Sequence, residues 1–240
     1  LTYNVAYMIA GGSTLMLSVF AFFYFPYFRA DTPQVTKMVL KKRYGLYYAL
    51  QFMAGARRQI FMVFVGFMMV ERFGFEVHQL TALYLINLVI NIFMAPVIGG
   101  LVARFGERRA LLFEYLGLIL VFSAYGGIYW FGWGVVLASI LYVVDHIFFA
   151  LALALKTYFQ KIADPADIAP TAAVAFTINH IAAVVLPVTL GLLWLVSPLL
   201  VFLIAAGMAC VSLSLALLIP RHPGPGHETI FKPALTEAAA

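Results

Sequence analysis

The chain is poor in charge. Asp, Glu, Lys and Arg make up only 10% of its 240 residues, where a soluble domain carries about a quarter. With 64% hydrophobic residues and a mean hydropathy of +0.99, an ordinary water-soluble fold is excluded. Cysteine is nearly absent as well. Cys210 is the only one and lies inside an apolar run, so neither a disulfide framework nor a cysteine-based metal site is available. No Gly-rich phosphate loop, metalloprotease helix or nucleophile elbow is present, and nothing points to an enzyme. What remains is long apolar runs divided by short polar turns. That pattern belongs to membrane helices; barrel strands alternate polar and apolar residues.

Seven such runs can be drawn: Tyr3–Phe28, Tyr44–Val70, Leu80–Val102, Ala110–Phe131, Gly134–Leu155, Pro170–Leu195 and Pro198–Ile219. Each is near the roughly 20 residues that span a bilayer. The net charge of +5 does not indicate nucleic acid, because the cations are spread over the turns in a topological pattern. Arg29, Lys37, Lys41, Lys42 and Arg43 follow the first run, Arg104, Arg108 and Arg109 the third, and Lys156 and Lys161 the fifth. Arg221 and Lys232 follow the last, while the intervening turns hold only Arg72. Positive residues mark the cytoplasmic side. The first helix is therefore expected to run inward and the C-terminus to be cytoplasmic. Trp130, Trp133 and Trp194 fall at the expected outer helix ends, where indole is favoured. The first run lacks a basic leader and is too long for a signal-peptide core, so it is expected to be a transmembrane helix with further sequence upstream.

The turn from Gly99 to Arg109 resembles the loop signature of the major facilitator superfamily, roughly Gly-x-Leu-Ala-Asp-Arg-x-Gly-Arg-Arg. Gly99, Leu101, Arg104, Gly106, Arg108 and Arg109 fit it. Ala103 stands where that family usually has Asp, and Glu107 precedes the arginine pair, as suits a degenerate second copy. In the family this loop joins the second and third helices of each six-helix half. The resemblance implies an all-α integral membrane protein: a six-helix bundle, residues 44–219, preceded by one extra helix. Residues 1–28 become the last helix of an N-terminal half whose other helices lie upstream. Residues 29–43 become the cytoplasmic linker between halves, and the proline-rich residues 220–240 a disordered cytoplasmic tail. The implied activity is secondary active transport by alternating access, in a bacterial cytoplasmic (inner) membrane.

Function is most visible where polar residues sit at lipid depth, since each costs a few kcal/mol at a helix centre. Arg57 and Arg58 lie about 21 Å along the helix from either charged end at 1.5 Å per residue. Consecutive residues point about 100° apart, so the two can hardly share one partner. Either arginine can bind an anionic solute group or make a structural ion pair. Asp145 and His146 sit mid-span and can carry a coupled proton, or Asp145 can neutralise an arginine; Glu114 is read as only a turn inside its helix. Asn179 and His180 share their helix with Pro187, which frees a backbone carbonyl and permits a kink. Asn87 and Asn91 line one face, where helix-to-helix hydrogen bonding competes with solute binding. A divalent metal site at Asp145, His146 and His180 would require convergence that the sequence does not indicate, against arginine repulsion. No cofactor is implied. The expected partners are a small polar or anionic solute, a proton, the lipid bilayer and the other six-helix half. Rivals are a non-transporting receptor or assembly protein of the same fold, and a divalent metal transporter.

Overall fold

The computed structural model describes residues 3–26 and 40–231. Residues 29–39 of the expected linker, with Arg29, Pro33 and Lys37, lie outside the described residues, as do 232–240 with Lys232 and Pro233. Seven helices are long and apolar enough to cross a membrane: α1 (Tyr3–Tyr24), α2 (Lys42–Phe73), α3 (Val77–Phe105), α4 (Glu107–Phe131), α5 (Val135–Ile162), α6 (Pro165–Trp194) and α7 (Pro198–Leu217). No strand occurs among the described residues. The chain divides into two units, one holding α1 and the other α2 to α7.

In α1, the hydroxyls of Ser13, Thr14 and Ser18 each donate to a carbonyl one turn back. Those bonds allow polar side chains in an apolar span.

In the second unit several helices run past the apolar limits read from sequence. Their end turns are polar and are held by caps and ion pairs. Glu76 starts α3 in a capping box with Gln79, whose side chain accepts from the Glu76 backbone N–H at 2.9 Å. Gly106 joins α3 to α4 with φ +83° and ψ 159°, a conformation essentially closed to residues with a Cβ. The most extensive pairing is α4 against α7. There α7 buries Ala205, Ala209, Ser212 and Ala216 at helical spacing, small residues that permit close backbone approach. Tyr125 of α4 stacks on Phe202 of α7 with ring centroids 5.3 Å apart. The next pairing is α2 against α6, allowed by Gly55: a Cβ there would lie 2.1 Å from Asn179 Oδ1 and 3.1 Å from its Cα.

Two helices depart from regular winding, and a third carries an internal proline. Helix α2 widens into a π segment over Ile60–Val65, directly after its arginine pair. Helix α5 tightens at Leu151 and Ala152, whose N–H groups donate to the carbonyls three residues back. Helix α6 contains Pro187, which leaves the Ala183 carbonyl without its helical donor. Gln59 of α2 takes that place, donating its amide to Ala183 O at 3.1 Å. In a membrane such a replacement donor is what makes an interior proline tolerable.

The two ends of the bundle differ in chemistry. One end collects Lys41, Arg43, Asp164, Asp167, Glu107 and Lys161. Lys41 Nζ meets Asp167 at 2.6 Å, Arg43 meets Asp164 at 2.7 Å, and Lys161 meets Glu107 at 2.7 Å. Tyr44 OH donates to Asp167 and accepts from the Asp164 backbone N–H. Lys41 and Arg43, read from sequence as linker residues, thus tie the start of α2 to the α5–α6 turn. The opposite end has Glu71 accepting from Trp194 Nε1 at 2.8 Å, and Arg72 donating to the Ile128 carbonyl. Trp194 is buried there; it is a packing residue, where sequence suggests an interfacial one.

The expectation of a disordered tail needs correcting for its first part. Residues 221–231 fold back on the charged end. Glu228 is buried, pairs with Arg43 at 3.2 Å, and its backbone carbonyl accepts from Tyr158 OH. Ile230 N–H donates to the Leu218 carbonyl. Prolines in this segment set turns, and the buried carboxylate gives it an anchor that composition alone does not reveal.

Candidate functional site

The face formed by Gln51, Ala54 and Arg58 on α2 recurs every three or four residues, so these side chains share one direction. It borders an open cleft of about 490 Å³. The other walls come from α3 through Asn91, α5 through His146 and Lys156, and α6 through Asn179. Apolar residues such as Leu88, Ala95, Ile98 and Phe149 fill the spaces between. Among the described residues no acidic side chain lines it. The close approach at Gly55 sets Asn179 beside the Arg58 face of α2. The tightened turn of α5 at Leu151 and Ala152 lies in the same wall, next to Ala150 and Leu153.

Arg58 is exposed to this cleft and makes no ion pair with a described residue. Arg57, one residue earlier, points the other way. It is 2% exposed, donates through Nη2 to Glu114 Oε1 at 3.1 Å, and lies over the Tyr115 ring at 4.8 Å. Glu114 is fully buried. Asp145 is also buried, within electrostatic reach of both Arg57 and Glu114, and its Oδ1 has no hydrogen-bond partner among the described residues. Arg57 Nε and Nη1, Glu114 Oε2 and the Tyr125 hydroxyl are likewise unpartnered. A partly satisfied polar cluster, built from α2, α4 and α5, is therefore buried and does not line the cleft.

The residues singled out from sequence thus fall into three groups. Arg58, His146, Asn91 and Asn179 meet at the cleft. Arg57 and Asp145 are buried and do not line it; Asn87 is buried too, with both amide atoms unpartnered. His180 belongs to neither group. It is exposed, its Nδ1 is 2.9 Å from the Phe176 carbonyl of its own helix, and its ring lies against Phe176. The triad of Asp145, His146 and His180 does not assemble, and no cluster of three metal-ligating side chains occurs among the described residues.

Two expectations change. Arg57 is neutralised by Glu114, where sequence reasoning offers Asp145 for that role. Glu114 is seven residues into α4, about 10 Å at 1.5 Å per residue, because the helix begins at Glu107 and not at Ala110, and it is fully buried. Lys156 is expected from sequence to be a turn cation. Because α5 continues to Ile162, Lys156 lies within the helix and faces the cleft. Gln51 and Gln59 escape the sequence reading altogether. The i, i+3, i+7 spacing of Gln51, Ala54 and Arg58 is the available signal for the first, and no sequence pattern links Gln59 to Pro187.

The loop motif is placed at the charged end. Gly99, Leu101 and Arg104 are on the last turns of α3, Gly106 forms the junction, and Arg108 and Arg109 open α4. Arg104 lies over the Phe105 ring at 5.5 Å, and Arg109 rims a small apolar recess with Leu101 and Phe113. The buried member is Glu107, the residue that departs from the signature, held by Lys161. Compared with known proteins, the chain matches no family model, no curated protein and no solved structure.

Proposed function

We propose that this protein is a secondary transporter for a small anionic solute, working by alternating access at the cleft between α2, α3, α5 and α6. The observation that carries the proposal is the composition of that cleft. It holds Arg58, Lys156 and His146 beside three amides and no carboxylate among the described residues. A guanidinium held at mid-span without a counter-ion is costly in lipid and persists where it faces water or a ligand. Its planar fork suits a carboxylate or phosphate.

Arg57 and Glu114 are assigned to the scaffold and Arg58 to the solute. Asp145 is the proton-coupling candidate. One arginine stands beside two buried carboxylates, and with Glu114 paired to it, Asp145 is the one left to exchange a proton. The breaks in α2, α5 and α6 are the points at which such a bundle can bend, as mid-helix π and 3₁₀ turns often are in functional helices. A half of this kind works against a second six-helix bundle, the arrangement implied by the resemblance to the major facilitator superfamily. The basic end is assigned to the cytoplasm of a bacterial inner membrane on the distribution of cations.

The test is solute uptake into vesicles containing the protein, under an imposed proton gradient. Arg58→Ala is expected to lose uptake of anionic solutes while keeping its thermal unfolding profile. Uptake by Arg58→Ala at the unaltered rate ends the proposal. Retained uptake with the gradient collapsed removes proton coupling and leaves the anion assignment standing.

A further inference from the structure

The cleft continues into a second recess of about 310 Å³, and the two share Gln51, Lys156 and Asn179. The second recess runs past Tyr47, Phe159 and Ile168, toward the end of the bundle where α2 begins and α5 ends. Lys156 therefore stands at the junction, while Arg58 lines only the larger space. Two cations, one from α2 and one from α5, line the same cleft.

Neither cation pairs with a carboxylate among the described residues. Among the described residues, Glu114 is held by Arg57, Glu107 by Lys161, Asp167 by Lys41, and Asp164 and Glu228 by Arg43. Glu71 accepts from Trp194 and Glu76 lies against His78 at the far end. Asp145 is buried and does not line the cleft. The acids are engaged elsewhere, and Arg58 and Lys156 keep two uncompensated charges in a largely apolar cleft.

We infer, on the basis of the anionic-solute proposal, that the transported solute is a small dianion bound with one anionic group on Arg58 and the other on Lys156. The two anchors are chemically different. Arg58 offers a rigid fork for two oxygens of one group, and Lys156 a mobile point charge that tolerates several spacings of the second. Gln51, Asn91 and Asn179 each supply both donors and an acceptor for hydroxyl or carbonyl groups between them. Cations and zwitterions are disfavoured, because an ammonium group would find no carboxylate here. A monoanion leaves one cation unmatched. Dicarboxylates and phosphate monoesters share the required chemistry.

Vesicle uptake of acetate, succinate, glycerol 3-phosphate and alanine, by the full protein and by Lys156→Gln and Lys156→Arg, tests the inference. The expected result is uptake of succinate or glycerol 3-phosphate in preference to acetate and alanine. Lys156→Gln should cut dianion uptake about tenfold, the loss of one charge-assisted hydrogen bond, and erase the preference over acetate. Lys156→Arg should retain it. Preference for one dianion identifies carboxylate or phosphate as the natural group. Equal handling of acetate and succinate, or a preference untouched by Lys156→Gln, overturns the dianion inference and leaves the anion transporter intact. Transport of none of the anions overturns both.

Discussion

Arg57 and Arg58 are adjacent in sequence and opposite in circumstance. Arg57 is buried, paired with Glu114 and stacked on Tyr115. Arg58 looks into the cleft with no acidic partner among the described residues. The 100° step between consecutive helical residues is enough to separate a buried, paired charge from a cleft-facing one. An intramembrane arginine is therefore not evidence of function by type or depth alone. The deciding facts are which helix face it occupies and whether a carboxylate already answers it.

The largest effect that can break this comparison is expected at Arg57. Arg57→Ala leaves Glu114 buried without its counter-ion, a loss of about 3–5 kcal/mol. The protein should unfold at much lower temperature in detergent, or fail to accumulate. The double change Arg57→Met with Glu114→Leu removes both charges and should recover most of that stability. A tolerated Arg57→Ala would mean that the pair is not structural, and the two arginines would have to exchange roles.

The next effect lies at Gly55. A Leu there must displace Asn179, including its backbone, and should cost about 1–3 kcal/mol by overpacking. Because Asn179 also lines the cleft, solute affinity should fall together with the melting temperature. Gly55→Ala distinguishes the contributions: its smaller intrusion should weaken solute binding more than it lowers stability. Unaltered melting in Gly55→Leu would show that α2 and α6 do not approach as described.

A smaller effect is expected at Gln59. Gln59→Leu strips the Ala183 carbonyl of its donor beside Pro187 and should destabilise by about 1 kcal/mol, the scale measured for hydrogen bonds between membrane helices. Adding Pro187→Ala supplies a backbone N–H to the same carbonyl, so the double variant should be as stable as Pro187→Ala alone. Additive losses would disconnect the two residues.

Much of the architecture is legible in sequence, because span length and the alternation of charge between turns are set directly by the bilayer. The spans that can cross a membrane match the apolar runs to within several residues at each end. Several discrepancies come from polar end turns: Lys42–Tyr44 and Lys156–Ile162 are held by Asp164, Glu228 and Glu107, partners distant in sequence, while α3 is extended by its local capping box. The site is legible in part. Arg58, His146, Asn91 and Asn179 can be named from depth and residue type, whereas the division between Arg57 and Arg58 requires knowing which way α2 faces. Glu114 escapes because its helix begins at Glu107 and not at Ala110, and His180 misleads because depth does not imply convergence.

The smallest structural effect belongs to Arg58. Its guanidinium is exposed to the cleft and pairs with no described acidic residue, so Arg58→Ala should leave the melting temperature unchanged. Removing an unanswered charge from mid-span should slightly favour insertion if it favours either state. Under the proposed function the same substitution should have the greatest effect on uptake, because it removes the fork assigned to the solute's anionic group. Arg58→Lys separates charge from geometry: a point charge retains attraction but loses the paired hydrogen bonds. Intermediate affinity for anions with undiminished stability is the expected outcome. If Arg58→Ala instead unfolds the protein as Arg57→Ala does, both arginines belong to the scaffold, and the cleft would have to recognise its solute through Lys156 and the amides alone.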